Sequence, residues 1–250
     1  MLGAKLGITS KQYNIVTNGL ILNYEPSFNK CYPGGSDLYN LASGSLTPTG
    51  SIITDATVVG FSGNNGGYLS FDGTDGYIKG EADSSAPFTA LGDATFVMWA
   101  RPGGNNLNSW DCFVSGRDGA TTADYVTGIT IDLGNSPPAG SWTQTNMEGK
   151  FNTGAQDLMS SDIAWDTWTH LTGIIENGVE IKLYVNGTAE GTDTATSTFS
   201  INYLQIGARY FGGVQGYIDS DIANLLIYNR VLSSGEITQN YNATKDRYTN

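Results

Sequence analysis

The sequence predicts an all-β protein of the antiparallel sandwich type, and three observations lead to this fold class. Two runs of alternating apolar and polar residues meet at a turn within residues 168–186, which is the pattern of paired half-buried strands. The composition agrees, because the chain has 33 Gly and 14 Tyr and only 14% charged residues, a profile typical of turn-rich sandwiches. A length of 250 residues suits a single all-β domain.

The clearest element is a long hairpin centred on Asn177-Gly178. From Val179 to Asn186 every second residue is apolar and the residues between are polar or amphipathic, so one face of the sheet meets a core and the other meets water. Asn-Gly between two such runs favours a type I′ turn, in which both central residues have positive φ. We therefore expect a two-residue turn at Asn177-Gly178.

The other elements follow in chain order from the same patterns and from turn residues between them. The run 94–101 is apolar on both faces and predicts a central strand, whereas 68–79 predicts strand, tight turn, strand, and hence a second hairpin. Ser233 and Glu236 form a capping box that opens a short helix with Ile237 and Tyr241 on one face. Further strands are predicted at 19–24, 52–53, 57–61, 112–115, 126–133, 149–152, 203–207 and 221–228.

Charge separates an N-terminal arm from the body of the chain. The net charge is −12, which argues against nucleic acid as a partner because phosphate binding needs a positive surface. Residues 1–18 contain no acidic residue, so Lys5 and Lys11, with Tyr13 beside them, are candidates for assembly contacts of a docking arm; a frayed terminus is the alternative. We expect residues 19–250 to form the sandwich, with no secretion signal and no membrane span.

Several ordered motifs resemble a known family. They are GLILNY near the start, YLSFDGTDGYI, FVMWARP, WTHLTGIIENGVEIKLYVNG, LQIGA and the closing DIANLLIYNRVLSSGEITQNYNATKDRY. Together they resemble the laminin-G-like branch of the concanavalin A-like lectin/glucanase superfamily. This resemblance implies a two-sheet antiparallel jelly-roll sandwich with a short C-terminal helix. The closing segment also resembles that of virion proteins from tailed phages, such as head decorations, fibres and tail parts.

The superfamily includes glycosidases, but the residues favour a protein that is not an enzyme. Retaining glycosidases need two carboxylates about 5–5.5 Å apart, and the family's catalytic members carry Glu-x-Asp-x-x-Glu on one strand. The nearest match here is Glu81-Ala-Asp83-Ser-Ser-Ala86, which has alanine at the last carboxylate position. His170 is the only histidine, and beside the family's core tryptophan we expect it to be a packed structural residue.

A cofactor is not required by any motif, although calcium is one option. The resemblance suggests a metal site where the end of the first strand meets a late strand, and Glu25, Asp219 and Asp221 are the candidate ligands. The alternative is that these carboxylates cap turns. Cys31 and Cys112 are the only cysteines, and two buried thiols or one disulfide both remain open.

The long loops carry residues suited to glycan binding, since aromatic rings stack on sugars and amides or carboxylates bind hydroxyls. The alternative is that each aromatic anchors its own loop. The candidates are Trp110, Trp142, Tyr210, Phe211, Asn105, Asn106 and Asp111.

These observations lead to a hypothesis of a non-catalytic phage virion surface or decoration protein. It would be made in the host cytoplasm, join other virion proteins of the capsid or tail through its arm, form a homo-oligomer, and touch polysaccharide through its loops. A free carbohydrate-binding module of a bacterial surface or extracellular system is the alternative. A glycoside hydrolase is the third option.

Overall fold

The chain forms two antiparallel sheets of eight strands each, with one short helix near the C-terminus. The computed structural model describes residues 14–42, 50–53, 59–80, 91–103, 111–117, 128–133, 146–152, 157–164, 166–195, 201–210 and 212–249. One large core cluster takes side chains from both sheets, so the sheets are the two layers of a sandwich. The predicted all-β sandwich is confirmed.

The first sheet contains the predicted central strand and both strands of the hairpin centred on Asn177-Gly178. Its order is β14 (Thr188–Thr194), β13 (Glu180–Val185), β12 (Thr169–Glu176), β7 (Ala94–Pro102), β18 (Asp219–Tyr228), β5 (Tyr68–Asp72) and β4 (Val59–Ser62), and β1 (Leu20–Tyr24) also pairs with β18. As predicted, β7 is central, because it pairs with β12 on one side and β18 on the other.

The second sheet is built from strands that are widely separated in the sequence. Its order is β11 (Asp157–Ala164), β10 (Asn146–Asn152), β9 (Gly128–Leu133), β8 (Cys112–Arg117), β15 (Tyr203–Ile206), β6 (Tyr77–Gly80), β3 (Gly50–Ile53) and β2 (Asp37–Leu38). A separate two-stranded ribbon joins β16 (Arg209–Tyr210) to β17 (Val214–Gln215).

The predicted hairpin over residues 68–79 is wrong. Its two strands exist, but β5 pairs with β4 and β18 in the first sheet, whereas β6 pairs with β3 and β15 in the second. Phe71 and Ile78 both lie in the core between the sheets. The turn therefore carries the chain across the sandwich, because this arrangement buries apolar residues of both strands against each other's sheets.

The turn type predicted at Asn177-Gly178 is also wrong, although the hairpin itself is confirmed. Glu176 pairs with Glu180, so the loop has three residues, and only Gly178 has positive φ, at 75°. The type I′ signature occurs instead at the next turn, where Asn186 (φ 50°) and Gly187 (φ 77°) join β13 to β14. Strand β14 was not predicted, because its residues are mostly polar.

The core depends on close packing between the sheets. Phe96 and Met98 of β7 point into it, and Phe71 meets the backbone at Gly207. Gly207 has φ of 84°, and a Cβ there would lie 2.6 Å from a ring carbon of Phe71. Glycine is needed at this position for both its conformation and its lack of a side chain. Cys31 and Cys112 are buried thiols.

The outward face of the first sheet is covered by helix α1 (Ser234–Thr244). The predicted capping box is present, with the Ser233 side chain accepting from the Glu236 backbone. Trp99 donates its Nε1–H to Thr244 Oγ1 at 2.8 Å. Around it lies an aromatic cluster that we define as Trp99, Trp168, His170, Tyr241 and Tyr248.

The last part of the predicted arm also packs on this outward face. Val16 is buried, its N–H donates to Asn240 Oδ1 at 2.8 Å, and its carbonyl accepts from the Tyr228 hydroxyl at 2.9 Å. Residues 14–18 therefore belong to the body of the structure. Lys5, Lys11 and Tyr13 lie outside the described residues. Within the described ranges, no helix is both long and apolar enough to cross a bilayer.

Candidate functional site

Polar residues align in register across the eight strands of the second sheet. Register aligns them across the whole sheet as Asp37, Ser51, Lys79, Gln205, Ser115, Thr130, Asn152 and Asp157. The neighbouring row includes Ile78, Ile206, Val114 and Ile131, which lie in the core. Because successive residues of a strand point to opposite faces, Lys79, Gln205, Ser115 and Thr130 lie on the outward face.

The centre of this face is an ordered group around Arg117, at the end of β8. Its Nη1 donates to Gln205 Oε1 at 2.9 Å, and its guanidinium lies 5.5 Å from the ring centre of Tyr203 and 4.6 Å from that of Tyr210. Arg117 is only 4% exposed, so these cation–π contacts are partly desolvated. We call Arg117, Gln205, Tyr203 and Tyr210 the arginine cluster.

The ribbon β16–β17 places Tyr210 in the arginine cluster. The ribbon's chain is anchored where Cys112 N–H donates to Gly216 O at 2.9 Å and Ile218 N–H donates to Gly207 O at 3.0 Å. From there β16 lies against β8. Tyr210 is thereby held over Arg117, at the opposite end of β8 from Cys112. Along the polar row, Gln205, Ser115 and Thr130 are buried, whereas Lys79 of β6 is exposed.

Beside the arginine cluster, the face is half-exposed and aromatic. Tyr77 and Tyr217 have ring centres 6.2 Å apart, and burial raises the pKa of both hydroxyls, so both are neutral near pH 7. Lys79 is exposed between Tyr77 and Tyr203. In the register of β15 and β6, Ile206 pairs with Ile78, so Gly207 lies beside Tyr77. Tyr203 is four positions from Gly207, and the two tyrosines are therefore about 13 Å apart along the strands.

This arrangement has the chemistry of a sugar-binding platform. Tyrosine rings offer flat apolar surface with a polar tip, while the exposed Lys79 supplies donors for hydroxyl groups. A separation of about 13 Å spans more than one sugar ring, so an oligosaccharide fits better than a monosaccharide. We call Tyr77, Lys79, Tyr203 and Tyr217 the tyrosine platform.

Only part of the predicted glycan-binding set lies within the described residues. Tyr210 is on this face, in the arginine cluster, and Asp111 is buried immediately before β8. Trp110, Trp142, Phe211, Asn105 and Asn106 lie outside the described residues. The sequence analysis missed the platform, although the alternation in Tyr203–Ile206, with Tyr203 and Gln205 between core residues, is a signal for it.

Two of the three predicted calcium ligands, Glu25 and Asp221, are engaged by arginines. Glu25 Oε1 accepts from Arg247 Nη2 at 2.9 Å and from Ser27 Oγ at 2.7 Å. Burial raises the pKa of Glu25, and the Arg247 guanidinium opposes this rise. Asp221 accepts from Arg101 Nε at 2.9 Å, and Asp219 pairs in register with Asp72 of β5. The calcium prediction therefore gains no support from this geometry.

No group of three or more His, Cys, Asp and Glu suited to a metal occurs in the part of the chain that the structure describes. His170 is 1% exposed and packs edge-on against Trp99 with ring centres 5.1 Å apart. Burial lowers its pKa to about 3, so it is neutral. This is the packed structural histidine expected from the sequence. The segment Glu81–Ala86 lies outside the described residues.

The two-sheet fold and the outward face of the second sheet together define a lectin-like β-sandwich, and sequence comparison agrees. The family model described as the concanavalin A-like lectin/glucanases superfamily matches residues 72–238, more than half of the chain, and the chain belongs to this family. The trypomastigote decay-accelerating factor of Trypanosoma cruzi is similar to it, with 39% identity over 69 residues that cover 26% of this chain and 73% of that protein.

Two solved structures share the fold at low sequence identity. Domain 4 of AbnA, an extracellular arabinanase of Geobacillus stearothermophilus solved with arabinotriose, is 17% identical over 90% of this chain and 98% of that chain, with a TM-score of 0.60. The sialidase of Trypanosoma rangeli, solved with sialic acid, is 15% identical over 93% of this chain, with a TM-score of 0.65. This chain covers 34% of that sialidase, and such identities show the fold alone.

Proposed function

We propose that this chain is a non-catalytic phage virion surface or decoration protein that is attached through its N-terminal arm and binds polysaccharide through the outward face of its second sheet. One observation carries the proposal. The arm's described residues, such as Val16, pack on the outward face of the first sheet, whereas the tyrosine platform is on the outward face of the second. An arm docked on a virion subunit would leave the platform facing away.

A binding role suits the chemistry of the described residues better than catalysis. Two buried carboxylates, Glu25 and Asp221, are paired with arginines, and His170 is neutral and surrounded by aromatic rings. The tyrosine platform offers stacking and hydrogen bonding without a close pair of carboxylates among its members. Sugar recognition uses these groups, whereas retaining glycoside hydrolysis needs two carboxylates.

Polysaccharide binding is tested by replacing platform residues singly. Tyr203→Ala and Tyr77→Ala are each expected to weaken binding to an array-selected oligosaccharide at least about tenfold, because each removes a stacking surface. Isothermal titration measures the change. Lys182→Ala, on the outward face of the first sheet, is the matched control and should bind like the parent. Equal binding by parent and platform variants would contradict the assigned face.

The virion role is tested with particles from the producing host, by mass spectrometry and electron cryomicroscopy. Deleting residues 1–13 is the informative truncation, because a cut at residue 18 would remove the hydrogen bonds of Val16 to Asn240 and Tyr228. The truncated chain should fold with an unchanged melting temperature and be lost from particles. Unchanged attachment, or absence of the full chain from particles, would overturn the role; retained sugar binding would then favour a free carbohydrate-binding module.

A further inference from the structure

The strands at the edges of the two sheets differ in how they are protected against pairing with another chain. Edge strand β14 carries Glu190 and Asp193, and β11 carries Asp157 and Asp162. These two edges also lie against each other, closing one side of the sandwich. Edge strand β2 has only two residues, one of which is Asp37. Charge and shortness are the usual means of blocking an edge.

Strand β1 is protected in a different way. Beyond its pairing with β18, its outer side takes hydrogen bonds from a neighbouring turn: Leu41 N–H donates to Asn23 O at 3.0 Å, and Asn40 Nδ2 donates to Ile21 O at 2.7 Å. These hydrogen bonds occupy the Ile21 and Asn23 carbonyls of β1 within the chain.

Edge strand β4 has none of these protections among the described residues. It pairs with β5 on one side, and no described strand pairs with its other side. Residues 59–71 contain no charged side chain, and neither do residues 31–36, which lie beside it through Tyr32. The Arg247 side chain reaches this segment at Gly66 O, but it is 11% exposed and paired with Glu25. In a chain with net charge −12, an edge this poor in charge lowers the electrostatic cost of bringing two like-charged copies together.

Phe61 makes this edge apolar as well as uncharged. It pairs in register with the core residue Leu69, so it lies on the inner face of the first sheet, yet it is 47% exposed. Its one described aromatic contact is Tyr32, with ring centres 5.6 Å apart. The row of core side chains that includes Leu69 therefore ends at Phe61, whose ring is partly exposed to solvent.

We propose that β4 is a homodimer interface, in which β4 of a second copy pairs antiparallel with it and covers Phe61. A second copy fits the edge for two reasons. An antiparallel strand pair about a twofold axis is self-complementary, so each copy can pair with the backbone groups on the outer side of the other's β4. The same neutral surface meets itself, which keeps the acidic remainder of both copies apart. The first sheet would then continue from one subunit into the other.

The test is the oligomeric state of the full chain by analytical ultracentrifugation up to about 100 μM, a range that detects dimers of micromolar affinity. The parent is expected to sediment as a dimer. Phe61→Lys is expected to raise the dimer dissociation constant at least about tenfold, because it puts like charges together at the edge. Its thermal unfolding should stay close to the parent's, since Phe61 is half-exposed.

Val179→Lys is the matched control, because Val179 is the other large exposed apolar residue among the described ones, at 52% exposure. It should leave the dimer intact. A monomeric parent, a Phe61→Lys variant that remains dimeric, or equal loss of dimer in both variants would overturn the proposal.

Discussion

Replacing Arg247 with alanine is expected to destabilise the protein by about 3–5 kcal/mol, because it leaves a buried carboxylate without its cation. The side chains of Arg247 and Glu25 are 11% and 6% exposed, and their atoms Nη2 and Oε1 are 2.9 Å apart. Arg247 also donates to Gly66 O at 2.8 Å and to Ser27 Oγ at 3.1 Å. The residue thus ties the C-terminal turn to the end of β1 and to the turn before β5.

The measurement is the free energy of unfolding in urea at pH 7. Adding Glu25→Gln to Arg247→Ala should recover part of the loss, since the buried charge is then removed. Lys182→Ala is the comparison, because its partner Glu180 is at the surface and such pairs contribute about 0–1 kcal/mol. A loss for Arg247→Ala no larger than that for Lys182→Ala would show that the buried pair does not hold the C-terminus.

Acid is expected to weaken the protein through His170. Burial lowers the pKa of this residue from 6.5 to about 3. Between these values the unfolded chain binds a proton that the folded chain does not, so stability is full above the unfolded pKa and falls as the pH drops through 6.5. The loss approaches about 1.4 kcal/mol per pH unit. From pH 8 to pH 4.5 it sums to about 2.5–3 kcal/mol.

The effect is isolated by comparing the parent with His170→Phe and His170→Leu over this pH range. His170 is the only histidine, and titration of carboxylates is common to all three proteins. The difference in unfolding free energy between parent and variant should therefore change by about 2.5–3 kcal/mol. A difference that is independent of pH would mean that His170 becomes protonated within the folded protein.

The sequence predicts individual strands well, because alternation is a local property of the chain. It places β7, β12, β13 and β18 and the helix cap correctly. It does not determine which strands pair. Residues 68–79 alternate as a hairpin would, yet β5 and β6 join different sheets, since the choice depends on β18 and β15, which come more than 120 residues later.

The candidate site also depends on contacts between distant parts of the chain, which the sequence does not determine. Aromatic residues in loops were predicted to bind glycans, whereas the described platform lies on a sheet face assembled from β6 and β15 and from the segment before β18. Tyr77 and Tyr217 are 140 positions apart in the sequence. Their proximity follows from the path of the chain between β17 and β18, which brings Tyr217 beside β6, and a local pattern carries no information about it.

The pairing of β1 with β18 determines when the chain can fold during synthesis. Val16 and Asn240 are hydrogen-bonded across 224 positions, and β18 lies between β7 and β5 near the middle of the first sheet. Until β18 has left the ribosome, β1, β5 and β7 each lack one of the strands with which they pair. Closing contacts this distant is slow, on a scale of roughly milliseconds to seconds for all-β domains. Folding of the sandwich is therefore expected only after β18 and the helix that carries Asn240 have left the ribosome, and until then the unpaired strands are exposed to aggregation.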